Sequence, residues 1–146
     1  MRRVQRTAQI NAPPAVVYAF LSDPTNLPRW QTGVISSERT SPAPTVAGST
    51  GRVVFEIMGQ RVTAETTVRE AVADKRLVLA ASVSGMSVVG SLDLVAVEGG
   101  TQVTFSSEVK AESIFMAPLE RMVADAAEKD LDASLARLKT TIEKPG

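Results

Sequence analysis

From Arg52 to Lys110 this chain alternates apolar and polar residues with a period of two, and from Pro118 to Lys144 the period turns helical. The helical stretch carries one apolar stripe: Leu119, Met122, Val123, Ala126, Leu131, Leu135, Leu138 and Ile142. A single long helix with one such stripe must bury it, and the sheet is the only partner available. That pairing constrains the fold more than any other feature, to a curved antiparallel sheet gripping one helix.

The rest of the chain supplies the pieces in order. Val4–Ile10 reads as a first strand. Pro13 and Pro14 suit the first turn of a helix, where a missing N–H costs little. Val16, Val17, Phe20 and Leu21 follow on one helical face. Asp23-Pro24 stops this helix, because the residue before proline is pushed out of the α region. Asn26–Gln31 reads as a second short helical turn, and Val34–Thr40 as a modest strand. Residues 41–51, rich in Pro, Gly and Ser, are the one long irregular stretch, either a mobile hairpin loop or a lid over a cavity mouth.

Hairpins then follow closely. Arg52–Met58 and Arg61–Glu70 join through Gly59-Gln60, and Ala73-Asp74-Lys75 turns into Leu77–Ser84. Gly85-Met86-Ser87 turns into Val88–Val97, and Gly99-Gly100 into Gln102–Lys110. Such short connections make successive strands antiparallel neighbours. Ser113–Ala117 reads as a lead-in turn to the long helix. The expectation is an α+β domain over residues 1–146, with about seven strands and two short helices after the first.

Composition narrows the chemistry. At 146 residues the chain can bury about two-thirds of its unfolded surface. Sixteen basic and sixteen acidic residues cancel, with no run of either sign, so no nucleic-acid partner is expected. The absence of cysteine and histidine removes disulfides, thiolate nucleophiles, the usual proton shuttle and the commonest metal ligands. No metal and no cofactor are expected, and any chemistry falls to carboxylates, Arg, Lys, Tyr, Ser or Thr. Met1-Arg2-Arg3 is followed by alternation rather than an apolar run, and no stretch nears the ~20 apolar residues of a membrane span. A cytoplasmic location without stable membrane insertion is expected, with the oligomeric state open between monomer and dimer.

Alternation assigns the inner face of the sheet. It gathers Val53, Phe55, Ile57, Val62, Ala64, Thr66 and Val68, then Leu77, Leu79, Ala81, Val83, Leu92 and Leu94, then Val103, Phe105, Ser107 and Val109. Arg52, Glu56, Thr63, Glu65, Arg69, Gln102, Thr104, Glu108 and Lys110 fall on the opposite, more polar face. Several inner positions are small, and the chain has only one Trp, one Tyr and four Phe. A bent sheet floored with small side chains leaves space beneath the helix, unless Met86, Met116 and Met122 plug it.

The residues expected to line that space are Phe55, Ile57, Ala64, Thr66, Leu79, Ala81, Val83, Leu92, Phe105 and Ser107 on the sheet. Phe115, Leu119, Met122, Val123 and Ala126 face them from the helix and its lead-in, with Tyr18 and Trp30 from the short helices. Trp30 reads equally as a pin holding the short helices and as a wall. An apolar pocket with a few hydroxyls suits a lipid, sterol or polyketide-like ligand.

Other motifs carry less. Gly48-Ser-Thr-Gly51 lacks the lysine of a phosphate loop and precedes a strand, so it reads as a hairpin loop. Glu108 and Glu112 resemble a carboxylate pair, but Glu108 falls on the outer face. Asp93, mid-strand among apolar residues, is expected to point outward. Docking to a membrane or protein through Val46 and its Pro-rich loop is the least supported role.

At Ile10-Asn-Ala-Pro13, Val17-Tyr18-Ala-Phe20-Leu21-Ser-Asp23-Pro24 and Leu27-Pro-Arg-Trp30, the sequence resembles the START-like superfamily. That group includes the SRPBCC proteins, the birch-pollen-allergen fold and the polyketide cyclase/dehydrase family. The resemblance implies a helix-grip fold with a deep apolar cavity that binds a small hydrophobic ligand. It admits as alternatives an active, cofactor-free aromatic polyketide cyclase/dehydratase, or an accessory subunit similar to the carbon monoxide dehydrogenase maturation protein. Trp30 and Tyr18 match the aromatic positions of similar cyclases, whereas the resemblance maps no cavity arginine onto this chain.

Overall fold

The computed structural model describes residues 2–57, 59–83, 86–111 and 117–143. Strand β1 (Arg2–Ile10) leads into helix α1 (Pro14–Leu21), a 3₁₀ turn (Pro24–Asn26) and the single-turn helix α2 (Leu27–Trp30). Strands β2 (Val34–Arg39), β3 (Thr50–Ile57), β4 (Gln60–Val72), β5 (Arg76–Val83), β6 (Met86–Val97) and β7 (Gly100–Ala111) follow, and helix α3 (Ala117–Glu143) comes last. The strands form one antiparallel sheet in the order β1-β7-β6-β5-β4-β3-β2. The short helices therefore link the two edges of the sheet, and the helix-grip arrangement implied by the resemblance is present.

Local chemistry sets the breaks. Pro13 and Pro14 open α1 in the first turn. Asp23 caps the 3₁₀ turn, its carboxylate accepting from Thr25 N at 3.0 Å and from Thr25 Oγ1 at 2.7 Å. The expected boundaries hold within a few residues, with one consequential difference: Met86 and Ser87 belong to β6 rather than to a turn. Met86 pairs with Val83 and is buried, which adds a rung to the β5–β6 hairpin. Residues 113–116 of the expected lead-in turn, and Glu112, lie outside the described residues.

Bulges between Val34 and Ser36 and between Val68 and Glu70 bend the sheet. On its convex face Arg52 pairs with Glu38 and Glu65, Arg3 with Glu108, and Arg76 with both Glu70 and Asp93. Asp93 is thus an outward partner of an arginine, as alternation implies.

Helix α3 packs on β1, β7 and α2. Its Leu131, Leu135 and Leu138 join Ile10, Val17, Trp30, Val103 and Phe105 in the main core. Trp30 meets Phe105 edge-on, with ring centroids 5.6 Å apart. Polar ties close the same end: Asn11 N donates to Glu143 Oε2 at 2.9 Å, and Lys139 Nζ to Gln9 O at 3.0 Å. Among the described residues no helix is long and apolar enough to cross a membrane.

Where β7 begins, backbone meets backbone. A Cβ on Gly100 would fall inside the van der Waals shell of the Ile10 carbonyl oxygen and crowd Asn11. Neither neighbour is a side chain that can swing away. Gly100→Ala should therefore destabilise the protein by at least about 1–3 kcal/mol in a denaturant melt. A midpoint equal to wild type would show that this approach of β1 to β7 is not required.

Candidate ligand cavity

A cavity of about 320 Å³ lies between the sheet and the Val123–Ser134 stretch of α3. Its floor follows from the register. One row of paired residues crosses five strands as Gly51, Thr66, Ala81, Val88 and Val109. The neighbouring row reads Val68, Leu79, Gly90 and Ser107. Gly, Ala, Ser and Thr at these positions leave a trough that the larger Phe55, Leu92 and Phe105 border. Concave, mostly apolar sites of about 300–1,000 Å³ are typical of small-molecule pockets.

The mouth is a collar of turn and helix. Thr32 N donates to Ser134 Oγ at 3.0 Å, and Gly33 O accepts from Glu56 N at 2.8 Å. Gly33 sits at φ +86, a left-handed conformation that favours glycine. Arg137 Nη2 donates to the carbonyls of Pro28 and Arg29 at 3.2 and 3.3 Å, tying α2 to α3. The turn after α2 is thus stitched to α3 on one side and to β3 on the other. Asp130 and Glu56, both exposed, are the acidic groups at this rim.

Of the residues expected at the cavity, Trp30, Phe55, Ala64, Thr66, Leu79 and Ala81 lie along its wall. So do Leu92, Phe105, Ser107, Val123 and Ala126. Trp30 is buried edge-on against Phe105 and also lies along the cavity wall.

Two residues sit elsewhere. Met122 is 49% exposed, because α3 turns Val123 and Ala126 toward the sheet and leaves Met122 on the solvent side. It does not plug the space; Met86 packs with Val109 and Ala124 in a separate small cluster. Tyr18 packs on the main core away from the wall. Burial, and secondarily the negative charge of Asp74, raise its phenol pKa above the ordinary value, which keeps the phenol neutral. The side chains of Ile57, Val83 and Leu119, and the whole of Phe115, lie outside what the structure describes.

Sequence reading missed Val88 and Gly90, which share the alternation of Leu92 and Leu94 within the expected Val88–Val97 strand, and the rim residues Thr32, Asp130 and Ser134. The last two were open to detection, since Ala126, Asp130 and Ser134 recur every fourth residue on one helical face.

A smaller chamber of about 80 Å³ adjoins the cavity and shares Leu21, Leu27, Val53, Thr66 and Leu79 with it. The loop between β2 and β3 roofs it and is well tethered. Thr45 Oγ1 donates to Ser22 O at 2.6 Å, Gly48 N to Val68 O at 2.8 Å and Val68 N to Ser49 O at 2.8 Å. Gly48-Ser-Thr-Gly51 accordingly ends a hairpin loop, with Ser49 buried. Ser37 and Arg39 of β2 also face this chamber.

No protein of curated function matches the chain. Solved structures of the same fold do. An aromatase/cyclase, Zhui, from Streptomyces sp. R1128 superposes with a TM-score of 0.81 at 13% identity, covering 97% of this chain and 93% of its own. A START superfamily protein from Mycobacterium smegmatis gives 0.79 at 17% identity, with 97% of each chain covered. TTHA0849 from Thermus thermophilus gives 0.79 at 21% identity, again with 97% of each covered. At these identities the likeness concerns the fold. Residues 1–143 match a family described as polyketide cyclase / dehydrase and lipid transport, and the chain belongs to that family.

Proposed function

We propose that this protein binds a small hydrophobic ligand, lipid or polyketide-like, in the cavity between the sheet and α3. The observation that carries the reading is the composition of the wall: a void of about 320 Å³ floored by Gly90, Ala64, Ala81 and Ser107 and bordered by Phe55, Leu92 and Phe105. A packed core would fill this volume, because unfilled space costs stability. Family membership and the shared fold support the same reading.

The wall also favours holding over reacting. Thr66 and Ser107 are hydroxyls, and the carboxylates Glu56 and Asp130 stand exposed at the rim. Tyr18, the phenol with the raised pKa, is off the wall. Turnover of a linear polyketide mimic would replace this reading with the cyclase.

Two measurements test it. Sterols, flavonoids and aromatic polyketides are screened by thermal unfolding; a binder present at 100 times its Kd should add about 2.7 kcal/mol. No stabilisation by any apolar compound would sink the proposal.

The second uses Ala126→Leu, which places an isobutyl group over the trough. With open space there, stability should stay within about 0.5 kcal/mol of wild type while ligand affinity falls. In a filled core the same change would overpack and cost about 1–3 kcal/mol. A destabilised Ala126→Leu protein would mean that no usable space lies under this turn of α3.

A further inference from the structure

We infer that the smaller chamber is an anion subsite, taking the carboxylate of a monocarboxylic acid whose apolar body lies in the main cavity. The inference rests on the apolar-ligand reading above and adds the chemistry of the ligand's polar end.

Three observations converge on the chamber. Among the described residues Arg39 is the one charged side chain on its wall. Its guanidinium donates to a neutral hydroxyl, Thr45 Oγ1, at 2.7 Å. Among the described residues no carboxylate pairs with Arg39, whereas Arg3, Arg6, Arg52 and Arg76 all have acidic partners. A half-buried guanidinium in such surroundings is costly until an anion meets it.

Ser37 stands two residues away, on the same face of β2. Its Oγ is buried and has no hydrogen-bond partner among the described residues. Buried hydroxyls are nearly always satisfied, so an orphan beside an unpaired arginine marks a place for an acceptor.

Gly51 completes the geometry. It lies between Arg39 and Thr66 in the register, extending the floor row of the main cavity to Arg39. A Cβ on Gly51 would come within 2.9 Å of both Thr66 Oγ1 and Glu38 O. Glycine here lets β2 and Thr66 close in on β3, and it lines the chamber without adding a side chain to it.

Size and charge select the head group. The chamber, at about 80 Å³, far exceeds the ~10–15 Å³ that one water requires. A single guanidinium balances one negative charge, and its planar fork matches a carboxylate with two parallel hydrogen bonds. A phosphate dianion would leave one charge unbalanced among Leu21, Leu27, Val53 and Val68.

Calorimetric titration with decanoate and with decan-1-ol separates body from head. Wild type should bind the acid about 10–100-fold tighter than the alcohol. Arg39→Gln should abolish that preference and leave the alcohol's affinity unchanged. Ser37→Ala alters one buried oxygen, so it preserves the test should Arg39→Gln lose the fold; it should weaken the acid alone by about 3–10-fold. Equal affinities for acid and alcohol in wild type, or a preference that survives in Arg39→Gln, would overturn the subsite and leave the apolar-ligand reading standing. Binding of neither compound would overturn the subsite, and the apolar-ligand reading would fall with it only if no compound of the wider screen stabilises the protein.

Discussion

Everything in this structure depends on where α3 is held. Leu131, Leu135 and Leu138 dock against Ile10, Val17 and Val103, so the helix is clamped at the β1–β7 side of the sheet. The sheet curves away beneath the helix toward β3, β4 and β5, and the cavity is the gap left between a straight rod and a bent surface. The clamp is built from the largest and most buried side chains, which lets the remainder of the interface stay unfilled. Stability and hollowness are thus separated along one helix.

The same division runs through the sheet. Its convex face is laced with ion pairs that are worth little individually in water. Its concave face trades aliphatic bulk for glycine, alanine and hydroxyl side chains under the helix. Each small residue gives up some burial free energy, and the dense cluster around Trp30 and Phe105 offsets that loss from the side.

Much of this was legible in the residues. Alternation placed Phe55, Ala64, Thr66, Leu79, Ala81, Phe105 and Ser107 on the correct face, because a period of two leaves little freedom once one face is buried. The long helix and its leucines followed from the stripe. Legibility failed where geometry departs from regular period. Met122 fits the stripe by spacing, yet the rotation of α3 over a cavity, rather than over a flat core, leaves it in solvent. Val88 and Gly90 were legible by the same alternation that placed Leu92, but a search for bulky wall residues passes over a glycine and the first residue of an expected strand. Arg39 was invisible as a cavity residue, since a bulge leaves no mark in composition. Asp130 and Ser134 were passed over because a search for apolar wall residues ignores a polar collar.

The bulge in β2 has a consequence for how such a protein changes. Counting alternate residues from Val34 would send Ser36 and Glu38 toward the interior, yet the irregularity between Val34 and Ser36 sends Ser37 and Arg39 there instead. One extra residue in an edge strand decides whether the far wall of the pocket is cationic or acidic. An edge strand has a single neighbour, so its register can slip without dragging the six other strands along. The polarity of the compartment therefore depends on where the extra residue falls in the edge strand as well as on which side chains that strand carries.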